Sequence, residues 1–388
     1  MAGSDLLTSI SLIYSGAAII ATIALFSRQS LVIAYITLGV LMGPYGFKVV
    51  SDDNLIQDIG HVGMIFLLFL AGLHLDPKNL ASMLQKAVVV TLSTSIAFAG
   101  IGFSIAWSSG FSVIDSALIG AAMMFSSTLL GLKLLPNRLL HSDHLGEVII
   151  SILLIQDLLA ILTLIVLQTS GHDSLTTSHL FKVFMSVPLL CLYAFFIERF
   201  FLAKLFKMYE SVREYLFITS VGWCLLVAQI ATWIGLSHDI GAFIAGVAIA
   251  TGSISSYLSE CFSPLRDFFL VLFFFAIGAN LNIWELPNIY TPVIVLTIAI
   301  MVAKPTLYWW SLLRSPEEEK IGWEVGVRLG QASEFSVLVA QVASQSRLIS
   351  PQAAAVIQAT TILSFMISSY WVTQSFKTPA MINKTVDD

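Results

Sequence analysis

Two polar residues, Gln156 and Asp157, stand in the middle of an apolar stretch, residues 148–167, which reads VIISILLIQDLLAILTLIVL. A stretch of ~20 residues rising 1.5 Å each spans the ~30 Å hydrocarbon core of a bilayer. An ionisable group at this depth costs at least ~2.5–3.5 kcal/mol, so it persists only where a cation, a proton or a charged partner compensates for it. We therefore expect Asp157, with Gln156 beside it, to be the cation and proton site of a transporter. The alternative is an acid that only pairs with a distant lysine and holds helices together.

Two other apolar segments carry polar runs in their middles: FSSTLLG in segment 114–135 and GQASEF in segment 322–345. Hydroxyl groups and glycine allow a transmembrane helix to unwind, because side chains then satisfy the freed backbone groups. The pattern predicts two broken helices beside the Asp157 helix, with helix termini and freed carbonyls available to a cation. Close packing by small residues is the alternative. The supporting residues of these runs are Ser126, Ser127, Thr128, Gln331, Ser333 and Glu334.

A lysine, Lys304, lies inside the apolar segment 291–313 and is followed by Pro305. A lysine this deep needs a partner, and Asp157 or Glu334 is the expected one. In the second polar segment Arg328 and Glu334 are six residues apart and form another candidate pair. We count Lys304 with the supporting core of the site.

Composition places the chain in the membrane. Of 388 residues, 57% are hydrophobic and only 11% are charged, against ~25% charged residues in soluble domains. The net charge of −5 comes with no basic cluster, which argues against nucleic acid as a partner. The three cysteines and seven histidines show no disulfide or metal-ligand spacing. We expect no cofactor and no fixed metal, and surface or capping roles for the histidines, which lie at segment ends or in loops.

The hydrophobicity pattern predicts thirteen transmembrane helices. Lys and Arg are concentrated on one side: fourteen of 19 fall in loops on that side, three on the other, and two lie within segments. The positive-inside rule then places the C-terminus in the cytoplasm and, with an odd number of segments, the N-terminus outside. The predicted segments are 6–26, 31–47, 59–75, 87–107, 114–135, 147–168, 181–202, 214–235, 239–252, 265–281, 291–313, 322–345 and 351–373.

An internal repeat is indicated by matches at one shared offset. FLAGLHLD (69–76) resembles FAIGANLN (275–282), and Ser127 matches Ser333, both 206 residues apart; Gly39 matches Gly246 at 207. The offset moves the chain seven segments along, so the second copy is inverted, as in secondary transporters. The resulting division is repeat 1 with linking helix 7 (1–197), a cytoplasmic linker (198–213), repeat 2 (214–373) and a short cytoplasmic tail (374–388). The linker's charged stretch is either an interfacial helix or a loop.

Several motifs together resemble a known family. AYITLGVLMGPYGF, VGMIFLLFLAGLHLD, LLIQDLLAI, IGAFIAGVAIA, LFFFAIGANLN and GQASEF are similar to the membrane domain of Kef-type potassium/proton antiporters, of the second monovalent cation:proton antiporter family. The resemblance implies the sodium/proton antiporter-like fold, with crossed discontinuous helices, a mobile core domain, a dimer domain and elevator-type motion. It also implies that Asp157 is the cation and proton carboxylate, that Gln156 is its neighbour in the family's paired position, and that Lys304 is the core lysine.

The chain departs from the family pattern in two places. His74 stands where family members often have Glu, and only about 15 residues follow the last segment, where Kef-type proteins carry a nucleotide-binding domain. Nucleotide gating is therefore not carried over, and we expect regulation to be absent or supplied by a separate subunit.

The sequence thus favours a secondary transporter in a bacterial inner membrane, acting as a homodimer. It would exchange K⁺, or alternatively Na⁺, for H⁺ without net charge movement, since only one titratable group stands at residues 156–157. Selectivity depends on coordinating oxygens rather than on a motif. A cation channel with a mid-pore acid, or an organic-anion transporter on the same scaffold, are the alternatives. No protease, nucleophile-elbow or phosphate-loop pattern indicates an enzyme.

Overall fold

The computed structural model describes residues 6–27, 29–50, 52–74, 77–133, 144–170, 177–250, 252, 255–281, 284, 286–313 and 316–376. Every regular element within these ranges is helical. From residue 377 onward the predicted cytoplasmic tail lies outside the described residues. The helices are α1 (Leu6–Phe26), α2 (Leu31–Met42), α3 (Asp53–His74), α4 (Pro77–Ser108), α5 (Val113–Met123), α6 (Thr128–Lys133), α7 (His144–Ser170), α8 (Thr177–Ile197), α9 (Ala203–Met208), α10 (Arg213–Trp233), α11 (His238–Ala250), α12 (Ser255–Ala279), α13 (Leu286–Leu312), α14 (Pro316–Arg328), α15 (Glu334–Gln345) and α16 (Pro351–Ser375).

Six helical stretches within the described ranges are long and apolar enough to cross a membrane: Leu6–Phe26, Asn54–Leu73, Ala87–Ser108, Arg213–Trp233, Ile289–Leu312 and Pro351–Ser375. Large apolar side chains on these helices point away from the protein; Leu7 and Trp233 are each 75% exposed. In water such faces would be unfavourable, whereas in a bilayer they meet acyl chains. The all-α class and the membrane location are confirmed, and the count of thirteen crossings stays a prediction.

The helix is interrupted at each of the two polar runs. Helix α5 ends at Met123 and α6 begins at Thr128. Helix α14 ends at Arg328 and α15 begins at Glu334. A serine caps each second half. The Ser127 hydroxyl accepts from the Leu130 N–H at 3.1 Å, and the Ser333 hydroxyl accepts from the Phe335 N–H at 3.2 Å. Both interruptions thus begin their second half with a capped, satisfied backbone.

Two helix crossings are built on glycines that mark the proposed repeat. Gly39 of α2 lies against α12, where a Cβ would overlap the carbonyl oxygen of Phe275. Gly246 of α11 lies against α3, where a Cβ would overlap the carbonyl oxygen of Phe69. A twofold relation that exchanges α2 with α11 and α3 with α12 would turn one crossing into the other. The inverted repeat itself stays a prediction.

The charged stretch after α8 is helical through residue 208. A π-helical turn, Glu198–Leu202, continues directly from α8 and leads into α9. Residues 198–208 are therefore helical and do not form a loop. A turn at residues 209–212 leads into α10.

Candidate functional site

Asp157 lies near the middle of α7 and is 3% exposed. Its carboxylate faces the first interruption, where the Thr128 hydroxyl donates to Oδ1 at 3.1 Å and lies 3.3 Å from Oδ2. The structure therefore brings together two residues that the sequence assigned to one site, although they are 29 positions apart.

The neighbouring amide of Gln156 is fully buried and binds the backbone of the first interruption. Its Oε1 accepts from the Ser126 N–H at 3.0 Å, and its Nε2 donates to the Met124 carbonyl at 3.0 Å. Nε2 also donates to the Tyr308 hydroxyl at 2.8 Å. Because an amide offers both donors and acceptors, Gln156 satisfies an N–H and a C=O that the broken helix leaves unpaired. A second aspartate at this position could not donate to Met124 while ionised.

Lys304 of α13 is fully buried and has partners that differ from the expected ones. Its Nζ donates to the carbonyls of Phe125 at 2.6 Å and Gln331 at 2.8 Å, and to the Ser126 hydroxyl at 3.2 Å. An ammonium carries three N–H donors, and these three acceptors use all of them. The expected pairing with Asp157 or Glu334 is replaced by carbonyls from both interruptions, where the negative ends of α5 and α14 converge.

Further bonds connect the two interruptions to each other and to α16. The Ser126 hydroxyl donates to the Leu329 carbonyl at 2.8 Å, and the Gln331 amide reaches the Ser127 carbonyl at 3.5 Å. From α16, Ser368 donates to the Gln331 side-chain oxygen at 2.8 Å. The backbone and side-chain polar groups of each break are therefore bound by groups from the other break and from neighbouring helices.

Glu334 is the first residue of α15 and lies close enough to Asp157 for their carboxyl groups to interact electrostatically. Arg328, at the end of α14, binds Glu324 one turn earlier, with contacts of 2.8 and 2.9 Å to the same carboxylate oxygen. The guanidinium and its helical neighbour thus balance each other's charge. Among the residues that the structure describes, the ionisable groups at the centre are Asp157, Glu334 and Lys304.

Tyr308 and Ser368 are site residues that the sequence interpretation missed. Tyr308 is fully buried, binds Gln156 and packs edge-on against Phe98 with ring centroids 5.4 Å apart. A sequence signal existed for this residue, because Tyr308 follows Lys304 by one helical turn and shares its face. Ser368 lies in an ordinary apolar segment with many hydroxyls and carried no comparable signal.

The oxygen atoms that the structure shows at Asp157 suit a mobile hard cation. They come from its carboxylate and from the Thr128 hydroxyl, and oxygen ligands of this kind are preferred by alkali and alkaline-earth ions. Within the residues that the structure describes, no three His, Cys, Asp or Glu side chains converge as a transition-metal site requires. The arrangement can hold either a proton or a cation at Asp157.

Comparison with known proteins identifies the family. A family model described as sodium/hydrogen exchanger, transmembrane, matches residues 13–378. The iron transporter MagA of Paramagnetospirillum magneticum is 27% identical over 355 residues, covering 89% of this chain and 80% of that protein. The glutathione-regulated potassium-efflux system protein KefC of an Enterobacter species is 28% identical over 374 residues. K⁺ efflux antiporter 5 of Arabidopsis thaliana is 26% identical over 346 residues.

The potassium-efflux relatives are longer proteins. The aligned region covers 92% of this chain and 58% of the KefC protein, and 87% of this chain and 61% of K⁺ efflux antiporter 5. Among solved structures, the sodium proton antiporter MjNhaP1 of Methanocaldococcus jannaschii superposes with a TM-score of 0.72 at 17% identity, covering 95% of this chain and 97% of that one. That likeness shows a shared fold. Since the family model covers nearly the whole chain, the protein belongs to the sodium/hydrogen exchanger transmembrane family, a family of cation/proton antiporters, and its resemblance to the membrane domain of Kef-type antiporters is confirmed.

Proposed function

We propose that this protein exchanges a monovalent cation for H⁺ across the membrane, with both ions using Asp157 in turn. The observation that carries the proposal is a deeply buried carboxylate beside an interrupted helix, while the nearby lysine has all three N–H groups bound elsewhere. Asp157 is thus left to a transported ion instead of being neutralised by Lys304.

Charge balance at the centre favours exchange of one cation for one proton. When Asp157, Glu334 and Lys304 are all ionised, their charges sum to −1. One proton or one monovalent cation brings the sum to zero, whereas the empty site keeps a buried charge that costs several kcal/mol even after relaxation. If only the neutral forms cross the hydrophobic barrier, exchange is obligatory and electroneutral.

The same balance bears on which ion is carried. The relatives are named for potassium, sodium and iron. A divalent ion would leave the centre at +1, which carries the same burial penalty as the empty site. A monovalent cation is therefore the proposed substrate, with K⁺ favoured and Na⁺ the alternative.

The finer architecture belongs to this proposal as well. It comprises thirteen crossings in two inverted repeats, a core that moves by an elevator mechanism against a dimer domain, and a homodimer in a bacterial inner membrane. The N-terminus would lie outside and the C-terminus inside, with the domain division given above and any regulation supplied by a separate subunit. The glycine crossings of α2 with α12 and of α3 with α11 support the repeat.

Transport in proteoliposomes containing a pH dye tests the function. A K⁺, Na⁺ and Li⁺ concentration series should show cation-driven proton movement in the native protein. Asp157→Asn should abolish that movement, because a neutral amide takes up no proton and supplies no negative charge to balance a buried cation. Asp267→Asn, at an exposed carboxylate of α12, is the matched control and should exchange normally. Normal exchange by Asp157→Asn would show that the site lies elsewhere, and a flux driven by imposed voltage would refute electroneutrality.

A further inference from the structure

A polar cavity of about 210 Å³ lies apart from the Asp157 centre, between α3, α11 and α15. It is at the N-terminal ends of α3 and α11 and the C-terminal half of α15, which is the end of the molecule predicted to face outside. At ~30 Å³ per water in the liquid, the cavity has room for a cation that keeps part of its hydration shell. Its polar lining consists of Gln57, Asp58, His61, Asp239, Gln341 and Gln345.

Asp239 contributes to this lining a buried carboxylate oxygen that lacks a hydrogen-bond donor. Its side chain is 7% exposed, and its buried Oδ1 has no hydrogen-bond partner. A buried carboxylate oxygen without a donor is costly. Among the described residues, the imidazole of His61 lies beside this oxygen, with its Nε2 3.6 Å away. That distance is too long for a hydrogen bond, but it is short enough for an ion pair once the ring is protonated.

The titratable groups that face His61 come from two helices. Asp58, on the same helix α3, interacts with His61 electrostatically. From α11, His61 faces Asp239 and the ring of His238, whose centroid lies 5.6 Å from its own. From α15 the cavity receives the uncharged amides of Gln341 and Gln345. When both imidazoles are neutral, the carboxylates of Asp58 and Asp239 give the cavity a negative charge. Protonation of His61 places a positive charge beside Asp239 and balances the charge of that carboxylate.

The oxygen atoms of this lining select the class of ligand. Carboxylates and amide carbonyls with retained water suit hard cations, and the described residues hold no triad of His, Cys, Asp and Glu that fits a transition metal. Leu338, on the cavity wall, lies one turn beyond Glu334 on α15, about 6 Å along the helix axis. One wall of the cavity therefore lies a single helical turn from Glu334, the residue that interacts with Asp157.

We propose that this cavity is an outer capture site for the transported monovalent cation, with Asp239 as its principal ligand and protonated His61 as its competitor. The inference rests on the proposed antiport. External protons then have two effects. At Asp157 a proton is a transported substrate, and at His61 a proton charges the imidazole, which pairs with Asp239 and displaces the cation bound there.

The test uses the full-length protein in oriented membrane vesicles of both polarities, with cation-driven proton movement measured from each face. Asp239→Asn should raise the half-saturating cation concentration about three- to tenfold from one face, since it removes a charge a few ångströms from the bound ion at intermediate dielectric. The maximal rate and the value from the other face should not change. Glu210→Gln, at an exposed carboxylate in the turn after α9, is the matched control.

A second variant addresses the competitor. In the native protein the half-saturating concentration from that face should increase as the pH falls through about 8 to 5, where histidine changes charge. His61→Gln should reduce this dependence while keeping the exchange. The His61 side chain is 43% exposed, so this variant decides the matter even if Asp239→Asn does not fold.

The outcomes separate the two proposals. If the native protein shows no exchange, the antiport itself is wrong. If exchange is normal but Asp239→Asn keeps its native half-saturating concentration from both faces, or His61→Gln keeps the native pH dependence, the capture site is overturned and the antiport stands.

Discussion

The two helix interruptions end their first halves in the same way. Lys304 binds both of them: its ammonium donates to the carbonyl of Phe125 after α5 and to the carbonyl of Gln331 after α14. These two positions are 206 residues apart, the same offset that relates the caps Ser127 and Ser333. A single lysine thus stabilises equivalent points of both breaks, as a group close to a twofold axis would.

The two interruptions differ in the residue that begins each second half. Thr128 begins α6 and Glu334 begins α15, and these positions are again 206 residues apart. Thr128 offers Asp157 a hydroxyl donor, whereas Glu334 offers it a second negative charge. The two interruptions therefore share their backbone contact to Lys304. They differ in the side chain that each presents near Asp157, which is a hydroxyl in the first interruption and a carboxylate in the second.

The largest expected effect comes from removing the shared lysine. Lys304→Met leaves two buried carbonyl oxygens without a donor, at about 1–3 kcal/mol each, partly offset because the buried charge is also removed. We expect a clearly lower thermal unfolding midpoint in detergent and little exchange in proteoliposomes. Lys207→Met, at an exposed position of α9, should match the native protein. An unchanged midpoint in Lys304→Met would show that the lysine does not hold the breaks together.

A smaller effect, specific to transport, is expected where the halves differ. Glu334→Gln changes the sum of the three central charges to zero in the empty site and +1 in the loaded site. The loaded form then carries the burial penalty, so exchange should slow by at least about tenfold. Any remaining flux should depend on voltage, by up to ~2.3 kcal/mol per 100 mV if the charge crosses the whole field.

The measurement for this variant is proton movement under imposed potassium-diffusion potentials. Glu214→Gln, at an exposed carboxylate in the first turn of α10, controls for loss of an acidic residue elsewhere. Native rates without voltage dependence in Glu334→Gln would remove Glu334 from the charge balance and leave Asp157 as the whole site.

Sequence reasoning located the polar residues of the centre better than it located their bonds. The runs at 126–128 and 331–334 drew attention because polar side chains in apolar segments are expensive, and both coincide with helix ends. The partners of Lys304 were missed because they are backbone carbonyls, which any residue type supplies. Asp239 and His61 were missed because they are 178 positions apart and meet only through the packing of α11 on α3.

The smallest expected effect concerns the serine caps, Ser127 and Ser333, which the two interruptions have in common. Ser127→Ala and Ser333→Ala each remove one capping bond, worth about 0.5–2 kcal/mol, so each should lower the unfolding midpoint modestly while exchange continues. Ser104→Ala, where an exposed serine of α4 bonds only within its own helix, is the control and should have almost no effect. Equal decreases of the unfolding midpoint in the two variants would indicate that the caps contribute equally to the two interruptions. A loss confined to Ser333→Ala would mean that the six-residue α6 is held mainly by its tertiary contacts, among them the Thr128–Asp157 bond, and that the likeness of the two breaks does not extend to their energetics.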